Sequence, residues 1–286
     1  MALPRAMSLK DPSATAAHFR AVFAGLGWEA SLPLLERVLR DVVNAFAGRW
    51  GEYLPLDMRY HDLGHTLEAA VCVTDLAGGL ARSGDDPAFD RGAAERCVIA
   101  ALLHDSGFLK HRHDGAGTGA KYTLVHERRS CDFARAYLPR IGLAADDIDD
   151  VCAAIGCTGP RNRISAQTFR HATARRIACL LVTADYLAQI AAPDYPDKLA
   201  HLFAEFTEAF DHEGIPPEKR PYASTAELRR KTPDFWQHFV RPMLDTEADG
   251  VHRYLTVTGQ TNPYLQAVED NLAEIRRRVQ AGEVHT

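Results

Sequence analysis

A chain of 286 residues is long enough to bury a sizeable core as one large domain or two small ones, and 46% hydrophobic with 25% charged residues is the composition of an ordinary globular protein. A formal net charge of -5 excludes the basic excess expected of a nucleic-acid-binding surface, and no run approaches the roughly 20 apolar residues of a membrane span. Met1 to Lys10 lacks an apolar stretch long enough for a signal peptide, so the chain is expected to be cytoplasmic.

In chain order the pattern is helical nearly throughout. Asp11 and Ser31 read as N-caps, the second followed by Pro33 and then Leu34, Leu35, Val38, Leu39, Val42, Val43 and Phe46 at helical spacing, with Gly48 closing the segment. A helix is predicted from Tyr60 to Leu76, ended by Gly78-Gly79, and another from Ala93 to His104. Ser106 to Ala120 holds Gly107, Gly115, Gly117 and Gly119 without periodicity and reads as a loop. Helical pattern resumes over Thr123–Leu138, Asp146–Ile155 and Ala172–Ala191. Beyond it Pro193, Pro196, Pro216, Pro217 and Pro221 are expected to break the chain into shorter helices. Two more helices, Phe235–Leu244 and Pro263–Val279, close it, and only Val251–Val257 is strand-like. The expectation is one all-α domain over residues 1–286, with its chemistry between about residues 60 and 190.

Six cysteines, at 72, 97, 131, 152, 157 and 179, form no Cys-x-x-Cys pair and mostly sit in apolar helical patterns, so they read as buried free thiols. The 13 histidines are the compositional oddity. His104-Asp105 closes the apolar run Cys97–Leu103, where uncompensated charge is expensive, and an imidazole beside a carboxylate offers two ligands to a divalent cation. Asp185 lies in a helix apolar around most of its circumference; Arg175 and Arg176 are too far along that helix to pair with it, which favours a metal ligand over a buried ion pair. His61 and His65, four residues apart, would share one helix face. The spacing is that of zinc proteases, but Asp62 stands where those enzymes need a glutamate base, which argues against proteolysis. His126 reads alone as a surface or capping residue, and beside the other ligands as a candidate for a second metal.

Together these residues resemble the HD-domain metal-dependent phosphohydrolase superfamily, in the order His65, His104-Asp105, Asp185, over residues 58 to 190. Tyr60-His61-x-x-x-His65 resembles the Tyr-His-Asn-x-x-His signature of its cyclic-nucleotide phosphodiesterases, and His126-Glu127-x-x-Ser130 resembles the His-Glu-x-x-Ser of other HD proteins. The resemblance implies a phosphodiesterase-like helical bundle. It also implies a metal held by His65, His104, Asp105 and Asp185, with His126 at a second ion and His61 as general acid. Asp62 departs from the signature, as does Ser106-Gly107-Phe108 where Asp-His-x-Gly is familiar. Phe235-x-x-x-Phe239-Val240-Arg241-Pro242 resembles the segment holding a base-clamping Phe, which puts Thr232 at the place of the base-reading glutamine. A threonine lacks the paired donor and acceptor of an amide, which speaks against that route to purine recognition.

Imidazole and carboxylate ligands suit one or two Fe, Mn, Zn or Mg ions. The expected activity is hydrolysis of a phosphodiester or nucleotide-like phosphate by metal-activated water, His61 protonating the leaving oxygen. The expected partner is a small phosphate ester, with Lys110, Arg112 and Lys121 on the glycine-rich loop attracting it, unless that loop is only a solvated surface; Arg128 and Arg129 read as a solvated helix face. Gly115-x-Gly117-x-Gly119-x-Lys121 lacks the ending of a P-loop. Two other classes compete: a di-iron oxygenase, whose usual further ligand histidine is not evident in Cys152–Thr158 just after Asp150, and a non-catalytic regulatory module, against which the retained His61 argues.

Overall fold

Apolar residues around nearly the whole circumference of Ala172–Ala191 place this helix, α7, at the centre of the bundle. The computed structural model describes residues 10–159, 161–256 and 261–282, and within them ten α-helices carry the fold, with one isolated β-bridge, Tyr53 to His111, and no strand. Leu63–Ser83 (α3) and Arg91–Leu103 (α4) pack on α7 and on each other, and Ala145–Ile155 (α6) and Pro263–Gln280 (α10) cover its remaining sides. Outside these lie Pro12–Ala24 (α1), Leu32–Phe46 (α2), His126–Tyr137 (α5), Tyr195–His212 (α8) and Thr225–Phe235 (α9). The all-α expectation holds.

Local chemistry sets most helix ends. Asp11 and Asp90 cap α1 and α4, accepting the Ala14 and Ala93 N–H groups at 2.8 Å each. Ser31 makes no capping bond; its hydroxyl instead donates to Glu95 at 2.5 Å, tying the start of α2 to α4. Asp62 caps α3 by accepting the His65 N–H at 2.9 Å, so the helix begins at Leu63 rather than Tyr60. Gly78-Gly79 does not end it. The helix runs on to Gly84 at φ 71°, and Gly79 lets the Tyr254 carbonyl pass where a Cβ would lie 2.0 Å from its oxygen.

The C-terminal third departs furthest from expectation. Pro196 sits in the first turn of the 18-residue α8, where its missing N–H costs no helical bond, so proline opens this helix instead of breaking it. Residues predicted as one helix from Phe235 to Leu244 form the end of α9 and two π-helical turns, Trp236–Val240 and Met243–Glu247. The strand-like Val251–Leu255 is a 3₁₀ turn, and Val257 lies outside the described residues, as does nearly all of Met1 to Lys10. All six cysteines are buried and free. Among the described residues no single helix is long and apolar enough to cross a membrane; α7 and α8 pass such a test only together, across a 114° bend.

Candidate metal centre

His65 projects from the first turn of α3, His104 closes α4, Asp105 follows it, and Asp185 lies in the second half of α7. Packing of α3, α4 and α7 brings all four together, each buried. His65 Nε2 lies 3.2 Å from Asp185 Oδ1 and 3.3 Å from His104 Nε2, and His104 Nε2 lies 3.6 Å from Asp185 Oδ1. Metal bonds of about 2.0–2.2 Å put neighbouring ligands about 3.0–3.5 Å apart, so His65, His104 and Asp185 form a group able to hold a metal ion. Asp105 Oδ2 stands 3.4 Å from both imidazole nitrogens, buried and without a hydrogen bond. An orphaned carboxylate oxygen beside two converging nitrogens fits a cation better than any arrangement of protein donors.

Outer contacts orient this set. His104 Nδ1 donates to the Ala101 carbonyl at 2.7 Å, which leaves Nε2 of the neutral ring able to bind a metal. Asp185 Oδ1 also meets Gln189 Nε2 at 3.4 Å, and Gln189 Oε1 accepts from the Tyr60 hydroxyl at 2.6 Å. Burial opposes charge on His104, yet the charges of Asp105 and Asp185 raise its pKa to about 9. Burial likewise opposes ionisation of Asp185, but hydrogen bonds from His104 and His65 hold its carboxyl far below the usual range. Positive charge is therefore strongly favoured among these groups, whether on imidazole or on a bound cation.

His126 opens α5, its Nδ1 donating to the Thr123 carbonyl at 2.8 Å, and its Nε2 lies 3.9 Å from Asp105 Oδ1. One carboxylate thus faces His65 and His104 with one oxygen and His126 with the other. Gly107 permits this approach, since a Cβ there would fall 2.0 Å from the His126 carbonyl oxygen. Ser130 fastens it, accepting the Gly107 N–H at 2.8 Å and donating to the His104 carbonyl at 2.5 Å. Arg129 is no solvated residue: it donates to the Gly107 and Leu109 carbonyls at 2.7 Å each and lies 3.6 Å over the Tyr122 ring.

His61 reaches the same place by another route than the predicted helix face, because it precedes the Asp62 cap. Its Nδ1 lies 2.7 Å from Glu205 Oε2 on α8, and Glu205 Oε1 accepts the Arg59 and Tyr60 N–H groups at 3.0 and 2.7 Å. Burial works against the His61 cation, but the hydrogen bond and charge of Glu205 raise its pKa above the ordinary value. Its ring packs 4.9 Å from Phe108, which in turn stacks on His126 at 4.6 Å. Glu205 was not foreseen, since nothing in the pattern of α8 distinguishes it from a surface acid.

The predicted substrate-binding cations are engaged elsewhere. Lys110 pairs with Asp57 and the Gly117 carbonyl, Lys121 with Asp114 and the Ala116 carbonyl, and Arg112 with the Gly51 and Gly48 carbonyls. They hold the glycine-rich loop in shape. Phe235 stacks on Phe239 at 5.0 Å and, with Tyr60, Gln189 and Thr232, lines a cavity of about 50 Å³ with room for a few waters. Thr232 turns its hydroxyl back to the Leu228 carbonyl at 2.8 Å.

With this geometry in view, comparison with known proteins adds one likeness. A family model described as Npun_R2479-like matches residues 141–278, a span that includes Asp185 and Glu205 but begins after His65, His104 and Asp105. No curated protein matches the chain.

Proposed function

We propose that the protein is a metal-dependent phosphohydrolase acting on small phosphate esters. One observation carries this reading: a buried set of two imidazoles and two carboxylates, without a lysine or arginine partner for Asp105 or Asp185 among the described residues, stands beside a histidine that a third carboxylate, Glu205, holds ready to protonate. His65, His104, Asp105 and Asp185 would hold one cation, and His126 with the other oxygen of Asp105 a second. Mixed nitrogen and oxygen ligands accept Fe, Mn, Zn or Mg. Such a cation, when bound, supplies Lewis acidity toward the phosphoryl group and acidifies water at the site.

The remaining work falls to the chain. Glu205 fixes His61 Nδ1 as a donor, so Nε2 is the atom that delivers a proton to the leaving oxygen, a contribution typically worth about 10²- to 10⁴-fold. The Tyr60 and Arg59 N–H groups fix Glu205 in turn. Phe108, packed against both His61 and His126, limits water on that side.

Elemental analysis of the wild type, Asp105→Ala and His126→Ala, with hydrolysis of a panel of phosphomonoesters, cyclic nucleotides and generic diesters, tests the reading. Two metal equivalents in the wild type, both lost in Asp105→Ala and one in His126→Ala, establish a bridged pair. Metal-loaded protein inactive on the whole panel overturns the hydrolase. The approach of His126 to Asp105 also suits a di-iron oxygenase, which predicts two iron equivalents and oxygen consumption; the proton donor held by Glu205 favours hydrolysis.

A further inference from the structure

With Lys110, Arg112 and Lys121 engaged by Asp57, Asp114 and backbone carbonyls, the metal centre needs another cation to receive an anionic substrate. The segment between α6 and α7 supplies one. It is fastened to the His126 side: Asn162 Nδ2 donates to Glu127 Oε1 at 3.1 Å and to the Thr158 carbonyl at 2.7 Å, and Glu127 Oε2 lies 3.4 Å from His126 Nδ1. Gly159, at φ 89°, presses on the same carboxylate, where a Cβ would fall 2.2 Å from Glu127 Oε1. Beyond it Ser165 is bonded to Glu247 through its N–H at 3.0 Å and its hydroxyl at 2.8 Å.

Arg163 lies between these anchors, exposed, its guanidinium 4.7 Å over the Phe239 ring. Among the described residues that guanidinium has no hydrogen bond and no carboxylate in ion-pair range. The Phe239 ring is 6.2 Å from that of Tyr186, the residue after Asp185. Arg163 is thus joined to both sides of the centre by short runs of contacts, through Phe239 and Tyr186 to Asp185 and through the neighbouring Asn162 and Glu127 to His126. A guanidinium resting on an aromatic face is held in place while its N–H groups stay available, and its planar fork matches two oxygens of a phosphate.

We propose that Arg163 is the anion-binding residue of the metal centre, receiving the non-bridging oxygens of the phosphoryl group. The assignment rests on the phosphohydrolase reading for its substrate class, but it concerns an anion site that is measured independently of turnover. Inorganic phosphate is titrated calorimetrically into the metal-loaded, desalted full chain and into Arg163→Met and Arg163→Lys, with metal content and thermal midpoint measured on each. Methionine keeps an apolar side chain over Phe239 and removes the charge; lysine restores charge without the fork. The expected result is phosphate binding weakened about 10- to 100-fold in Arg163→Met and partly recovered in Arg163→Lys, at unchanged metal content and midpoint. Equal phosphate affinity in wild type and Arg163→Met, or no phosphate binding by the wild type, overturns the assignment and leaves the metal centre standing. Should the wild type carry no metal, the hydrolase reading falls first. The same titrations on metal-free protein then decide Arg163: loss in the methionine variant supports an anion site, and no difference overturns it.

Discussion

Helices α4 and α7 contribute to two buried charge clusters, and the clusters are neutralised in opposite ways. Near their starts, Asp150 on α6 is met by Arg96 Nε of α4 at 3.4 Å and by His171 Nε2, the cap of α7, at 3.3 Å, while Arg96 also reaches Asp147. Further along, the charge partners of Asp105 and Asp185 among the described residues are all imidazoles. In the first cluster the counter-charge is covalently part of the chain and cannot leave. In the second it has to be carried by a proton or by an ion from outside, so the site is open to exchange. Buried charge alone therefore does not mark a functional centre; the kind of counter-charge does.

The sharpest way to break this contrast is to neutralise one carboxylate of the exchangeable cluster. Asp185→Asn is expected to abolish metal retention in elemental analysis and to cut phosphoesterase activity by about 10³-fold or more, because several kcal/mol of Lewis-acid stabilisation disappear. Retained metal would place the two clusters in one class.

Arg96→Met asks the reverse question of the fixed cluster. It leaves Asp150 buried without its guanidinium and is expected to destabilise the fold by about 3–5 kcal/mol in urea unfolding, with metal content unchanged. A nearly neutral result would mean that Asp150 is protonated in the native state, the direction in which burial already pushes its pKa.

Glu205 and His61 form a smaller pair that shares features of both. Glu205→Gln keeps an acceptor for the Tyr60 and Arg59 N–H groups but removes the charge that favours the His61 cation. His61 with a raised pKa stays protonated to higher pH, so losing Glu205 is expected to move the alkaline limb of the rate profile to lower pH and to lower kcat about 10- to 100-fold. An unmoved limb would assign the proton donor elsewhere.

Glu68 on α3 sharpens the comparison from the weak end. Burial pushes its pKa up to about 7 against the opposing charges of Lys10 and Lys198. A carboxyl raised in the folded state favours folding when protonated, so its contribution is full below its ordinary value of 4.5 and is lost as pH rises through about 7. Because Glu68 is partly exposed, the expected change is about 1–2 kcal/mol. Glu68→Gln should flatten stability between those pH values in denaturant titrations.

How far this was legible before folding depends on the range of the interaction. The His104-Asp105 doublet and Asp185 stood out because charge in an apolar helical run has to be compensated, a constraint that acts on composition and periodicity alone. His65 and His61 were legible as members of one cluster, but they meet by another route than a shared helix face, because Asp62 caps α3 and leaves His61 outside it. A capping bond is a local competition between side chain and backbone that spacing does not resolve.

The sequence by itself determined an all-helical chain with a candidate set of metal ligands centred on His104-Asp105 and Asp185, because burial and helical period are properties of short stretches. Only the tertiary structure decided that Glu205 stands behind His61, that Lys110 and Lys121 hold their own loop, and that Arg163 rests on Phe239 without a carboxylate partner among the described residues. Those assignments depend on which charges meet across the bundle, and electrostatic pairing between distant elements leaves no period or spacing in the chain.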